Sequence, residues 1–173
     1  MKKYLWPLFA LTLLITSCQP KIDLEKEKEA IQAVIEKETN SYYARDMDQQ
    51  LSCFLQDETL IGLAAWKDQY LNIMGWEDMK AFYENNYQEN PEPSPNKIEF
   101  ANYRIKVHPE SAWAFYDQNT LNPDGELERT IKSVRFLEKV NGEWKIAYIS
   151  LVDVSSYEDE TEQAPEEEEA ATE

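Results

Sequence analysis

The sequence predicts an α+β fold, with helices laid on one face of a curved antiparallel sheet. Two observations carry that class. Helical periodicity is confined to the first half of the 173-residue chain, and long β-rich runs fill the rest up to about residue 153. In addition, Asn141-Gly142 divides the last two runs, and this dipeptide is the strongest short-range signal for a hairpin.

The elements follow in order. A helix begins near Leu24, with Ile31, Val34, Ile35 and Tyr42 on one face and acids and lysines on the other. Asp46 and Gln49 form a capping box for a second, short helix carrying Leu51, Phe54 and Leu55. "TLIGLAAW" reads as a strand, and "KDQYLNIM" as a further strand or a loop. After Gly75, "WEDMKAFYENNYQ" is helical, with Met79, Phe82 and Tyr83 turned inward. "ENPEPSPN" stops that helix, because proline cannot continue it. "KIEFANYRIKV" then runs to His108-Pro109, and "AWAFYDQNTL" to Pro123-Asp124-Gly125. The hairpin strands come last.

The ends read differently. Residues 1–17 have the layout of a signal peptide: Lys2 and Lys3, an apolar stretch from Tyr4 to Ile15, then small residues. Ile15-Thr16-Ser17-Cys18 resembles the bacterial lipobox, so Cys18 is the expected site of acylation and residues 18–23 a tether. That would hold the protein on a membrane of the bacterial cell envelope, most simply the outer membrane, facing the periplasm or the surface. Residues 157–173 contain nine acids and no base, which reads as a solvated, disordered tail.

Seventeen bases face 34 acids, a net charge of −17. Such a surface argues against nucleic acid, whose phosphates need bases, and against electrostatic attachment to anionic lipid. Once Cys18 is acylated, Cys53 has no partner for an intrachain disulfide, so residues 24–156 must rest on a hydrophobic core. Cys53 itself reads as a small core residue. His108 is the sole histidine, so no metal site is expected and no cofactor is implied.

The hairpin carries the functional question. A two-residue loop with unbroken alternation sets Leu137 opposite Ile146, Arg135 opposite Tyr148 and Ser133 opposite Ser150. One face would then hold Trp144, Ile146, Leu137, Arg135, Tyr148, Ser133 and Ser150. The other would hold Phe136, Val134, Ala147, Ile149 and Leu151. Both are substantially apolar, which predicts helices over one and a second subunit over the other, a homodimer. Arg135 on the helix-covered face must meet a cavity or a carboxylate, and the sequence leaves both open.

The order of elements resembles the nuclear transport factor 2-like superfamily, in particular its SnoaL-like branch and the association domain of calcium/calmodulin-dependent kinases. The resemblance covers residues 24–156. It rests on "RFLEKVNGEWKIAYIS", similar to the pattern R-x-x-x-x-x-x-G-x-W-K-I, with "AWAFY" and Asp124-Gly125 before it. It implies a cone-shaped barrel, open at one end and dimerised through the outer sheet face. Arg135 matches an arginine that points into the cone, and Tyr116 and Gln118 take pocket-facing positions on the preceding strand. Tyr148 and Ser150 stand where relatives carry histidines, so metal or general-base chemistry there is not implied.

Enzymes of this superfamily need a carboxylate inside the cone. Strand alternation turns Asp117 away from Tyr116 and Asp153 away from Tyr148, so no base and donor share a face. Tyr43 and Trp66 are candidates for the mouth. The expectation is a lipid-anchored domain binding a small molecule through Arg135, Tyr148, Tyr116, Gln118, Ser133 and Ser150. The alternatives are an isomerase, cyclase or hydrolase on the same cone, or a dimeric interaction module.

Overall fold

A computed structural model describes residues 22–66 and 69–155. The expected signal peptide, Cys18 and the acidic C-terminal stretch lie outside the described residues. The elements are α1 (Leu24–Ala44), α2 (Met47–Leu51), β1 (Ile61–Trp66), β2 (Gln69–Met74), α3 (Trp76–Glu89), β3 (Lys97–Val107), β4 (Ser111–Leu121), β5 (Leu127–Val140) and β6 (Glu143–Asp153). The six strands form one curved sheet in the order β2-β1-β6-β5-β4-β3, and it does not close into a barrel. The α+β class holds.

Local signals set the helix ends. Asp23 caps α1, its carboxylate accepting from the Lys26 amide at 3.4 Å. Asp46 caps α2 by accepting from the Gln49 amide at 3.1 Å, and the Gln49 side chain returns to the same carboxylate. The helix is shorter than its apolar residues suggest, ending at Leu51. Phe54 lies beyond it and bridges to Ile146, so the chain enters the sheet rather than completing another turn. Gly75 (φ +88°) precedes α3 in a conformation that side chains rarely adopt.

Helix α1 lies along the concave face and supplies Ile31 and Ile35 to a core shared with Leu60, Met79, Tyr83, Leu137 and Ile146. Its N-terminal turn is tied to the last hairpin by one carboxylate. Glu27 accepts from Lys139 Nζ at 2.6 Å and from Trp144 Nε1 at 2.7 Å. The bond from Lys139, above all, holds the Glu27 carboxyl below the usual range.

The sheet departs from expectation at two places. It is not wholly antiparallel, because β1 runs parallel to β6, with Gly62 opposite Ile149 and Ala64 opposite Leu151. The second departure bears on the site. Asn141 (φ 53°) and Gly142 (φ 86°) form the expected turn, and Val140 pairs with Glu143 and Leu137 with Ile146. The next pair is Phe136 with Tyr148, so Ala147 is an extra residue, a β-bulge. Beyond it the alternation on β6 reverses. Arg135 pairs with Ile149 and Ser133 with Leu151, which carries Ile149 and Leu151 inward.

Tyr148 and Ser150 therefore stand on the convex face, where Tyr148 pairs with Phe136 and packs edge-on against Trp113 at 6.2 Å. That face is apolar, as expected, and leaves Trp113 47% and Phe115 39% exposed. Behind them Asp117 accepts from Lys132 Nζ and Asn102 Nδ2, each at 2.7 Å. Burial alone would push Asp117 up, but these two bonds outweigh it and hold the carboxyl low. Asn102 adopts φ 57° at a bulge in β3 to make its bond.

Removing the bulge tests this account. Deleting Ala147 would set Tyr148 directly after Ile146 and restore strict alternation with the same faces, Tyr148 and Ser150 outside and Ile149 and Leu151 inside. The expected result is a cooperative thermal transition by circular dichroism within a few degrees of the parent. Loss of that transition would show that Ala147 is not a simple extra residue in the ladder.

Candidate functional site

The inner sheet face and the helices enclose a cavity of about 180 Å³. Its walls are mainly apolar, with Leu71 and Ile73 from β2, Met79 and Phe82 from α3, and Ile149 and Leu151 from β6. Two small residues on β1 make the room. Ala64 lines one wall, and a Cβ on Gly62 would come within 2.7 Å of Met79 Cε. For scale, a dry apolar cavity of roughly 150 Å³ accepts benzene, so the space suits a single ring or a short acyl chain.

One side of the cavity is charged. Arg135 is 1% exposed, and its Nη2 donates to Glu38 Oε2 at 3.2 Å across the gap between β5 and α1. Glu38 is equally buried. Its Oε1 accepts from Gln50 Nε2 at 3.2 Å and its Oε2 also accepts from Thr39 Oγ1 at 3.2 Å. Gln50 in turn accepts from the Tyr87 hydroxyl. Arg135 also donates from Nη1 to the Val134 carbonyl and lies 5.6 Å from the Tyr116 ring centroid. Burial by itself would lower the guanidinium pKa, but Tyr116 and the Glu38 carboxylate outweigh it and hold Arg135 above its ordinary value. Both readings of this arginine are thus realised, for it pairs with a carboxylate and also borders the cavity.

Among the described residues Arg135 Nε has no hydrogen-bond partner, and beside it the buried Tyr116 hydroxyl and Ser133 Oγ make no close bond beyond facing each other. Tyr116 and Ser133 are direct neighbours across β4 and β5, and Arg135 is the next inward residue after Ser133. A buried donor left unmatched is costly, and of these groups Arg135 is the one that lines the cavity. Tyr116 and Tyr83 are both wholly buried, and burial pushes their phenols up, so each stays a neutral hydroxyl.

The six residues expected to bind ligand are therefore divided. Arg135 and Gln118 line the cavity, while Tyr116 and Ser133 are fully buried beside Arg135. Tyr148 and Ser150 are on the opposite face, for the reason given by the bulge. Asp153 is moved the other way by the same reversal and lines the cavity, as do Tyr43 and Trp66. Glu38 is the residue the sequence reading missed. Its signal was its place on the stripe Ile31–Ile35–Glu38–Tyr42, an acid at a core position of α1.

Cys53 is buried, and burial pushes its thiol up, which suits a core residue rather than a nucleophile. Among the described residues no group of side chains could hold a metal ion, and no helix is long and apolar enough to cross a membrane.

The ion pair makes a sharp stability test. Arg135→Met or Glu38→Met alone strands a buried charge and is expected to cost about 3–5 kcal/mol. The double variant removes both charges and should recover most of that loss in urea denaturation. Additive losses would show that the two side chains are not coupled.

No family model matches the sequence, and no curated protein matches it. Solved structures do. A protein with a cystatin-like fold from Nostoc punctiforme is 14% identical, covering 74% of this chain and 91% of that one with a TM-score of 0.62. An NTF2-like protein of unknown function from Pseudomonas putida is 17% identical, covering 76% and 88% with a TM-score of 0.61. A candidate dehydratase of the NTF2-like family from Streptomyces avermitilis is 11% identical, covering 75% and 97% with a TM-score of 0.60. At these identities the likeness is one of fold: the chain has the NTF2-like fold.

Proposed function

We propose that this protein binds a small, largely apolar molecule in the cavity between its helices and sheet. The observation that carries the reading is Arg135 Nε, without a hydrogen-bond partner among the described residues, beside a mainly apolar cavity. Apolar walls with a few placed polar groups are the usual composition of a ligand site. Because Glu38 neutralises Arg135, the polar side suits a neutral acceptor, such as a carbonyl or hydroxyl oxygen, better than a full negative charge. Gln118 stands beside it on the same wall.

Native mass spectrometry of residues 22–173 tests this. Added mass is expected to leave on denaturation and to be absent from Ala64→Leu, whose larger side chain fills the cavity. Bound mass retained by Ala64→Leu would sink the proposal. The same spectrum reads the second part of the reading, a homodimer formed through the convex face around Trp113, Phe115 and Phe136. Trp113→Glu should convert that dimer to monomer, and an unchanged dimer would place the interface elsewhere.

We further propose that Cys18 is acylated and anchors the domain at the bacterial cell envelope. The support is the Ile15-Thr16-Ser17-Cys18 sequence after a charged and then apolar leader. Cys18→Ala is expected to move the protein from the membrane to the soluble fraction of a bacterial host. Membrane association unchanged by the substitution would refute the anchor.

A further inference from the structure

The cavity has a polar neighbour. A second chamber of about 450 Å³ is bounded by Tyr43, Arg45, Ser94, Asn96, Thr120 and Arg129, among others, and Tyr42, Tyr43 and Arg129 also border the inner cavity. What stands between the two is lightly held. Arg129 Nη2 donates to the Tyr43 hydroxyl at 3.4 Å, and that hydroxyl lies 3.5 Å from Thr120 Oγ1. Both distances are at the long limit of a hydrogen bond, so a better acceptor would displace them at little cost.

The charge of this chamber is opposite to that of the protein. Neither of its arginines makes an ion pair with a described residue. Arg45 donates from Nη1 to Asn86 Oδ1 and the Tyr42 carbonyl, and from Nε to the Glu92 carbonyl. Among the described residues Arg129 donates to Tyr43 alone. The one carboxylate on the chamber wall, Glu128, accepts from Asn96 Nδ2 at 2.8 Å. Asp153, on the inner wall, accepts from the Ser155 amide at the end of β6. Among the described residues lining the outer chamber, two guanidinium groups face one carboxylate, with Asp153 set on the inner wall, in a chain of net charge −17.

The backbone supports the same placement. Arg45 ends α1 with φ 61°, a conformation that normally falls to glycine and strains a side chain. Its guanidinium lies 4.9 Å from the Tyr42 ring centroid and 5.2 Å from that of Tyr87. The proline-rich connection is drawn in as well, the Ser94 amide donating to the Tyr43 carbonyl at 2.9 Å.

We infer that the outer chamber is a carboxylate subsite, and that the ligand is an amphipathic monocarboxylate. Its apolar ring or short chain occupies the inner cavity. Its carboxylate meets Arg129, with Arg45 on the far wall. A planar guanidinium suits a carboxylate because it donates two parallel hydrogen bonds. This rests on the ligand-binding reading above and adds the class of ligand and its orientation. The acid lies at Arg129, away from the neutral Glu38–Arg135 pair.

The test is isothermal titration of residues 22–173 with 3-phenylpropionate and the acids from butyrate to octanoate, each beside its alcohol of equal length. At least one acid is expected to bind about tenfold or more tighter than its alcohol, an advantage that shrinks as salt is raised. Arg129→Gln should bring acid and alcohol within about threefold, with Arg45→Gln moving the same way by less. Equal binding of acid and alcohol by the unmodified protein would overturn the carboxylate subsite while leaving the cavity reading intact. No binding of either series would overturn both. The comparison in the unmodified chain stands even where a variant fails to fold.

Discussion

The buried pair between Arg135 and Glu38 is the constraint on which the rest of the structure depends. Two charges removed from water are tolerable only if each is matched and hydrogen bonded. Matching them requires α1 to lie at one height and one rotation over β5, because the pair is 3.2 Å apart with no solvent to bridge a misfit. Gln50 and Thr39 complete Glu38, and Tyr87 completes Gln50, so α2 and α3 are drawn into the same network. An apolar pair of similar volume would satisfy the core equally well but would not specify where the helix stops sliding.

Much of the fold was legible because its signals are local. Asp46 and Gln49, the prolines after α3 and Asn141-Gly142 each act within a few residues, and each did what its chemistry predicts. The register of β6 was misread because alternation was carried unbroken from the turn. The correction is present in the sequence. The apolar residues of that strand fall at Trp144 and Ile146, then at Ile149 and Leu151, a change of phase across Ala147. A bulge is the economical explanation of such a change, since both pairs must face the core. Glu38 was hidden for a different reason. Its place on the apolar stripe of α1 marks it for burial, but it sits among other acids on a charged helix and its partner lies 97 residues away.

The reversal at Ala147 also decides what kind of site this is. Without it the inner face would present Tyr148 and Ser150 beside Arg135, a polar surface suited to a hydrated ligand. With it, Ile149 and Leu151 fill those places, and the cavity is apolar on most sides. The phenol and hydroxyl go to the convex face, where Tyr148 joins Trp113 and Phe136 in an aromatic surface. One inserted residue thus moves polarity from the inside of the sheet to the outside.

A carboxylate at the edge of a cavity invites an assignment as a general base; besides the half-buried Asp153, the described carboxylate there is the buried Glu38. Its geometry argues for holding rather than proton transfer. A carboxylate offers about four lone-pair sites, and three at Glu38 already accept from Arg135, Gln50 and Thr39. To take a proton from a ligand it would have to give up the contact that neutralises Arg135, leaving a guanidinium buried alone. The cost of that step would be added to the barrier of any reaction that used it. A base poised for turnover keeps a lone pair directed at the substrate, whereas Glu38 directs its own at the protein. The pair is therefore held by the protein's own groups, and Glu38 serves to neutralise and position Arg135.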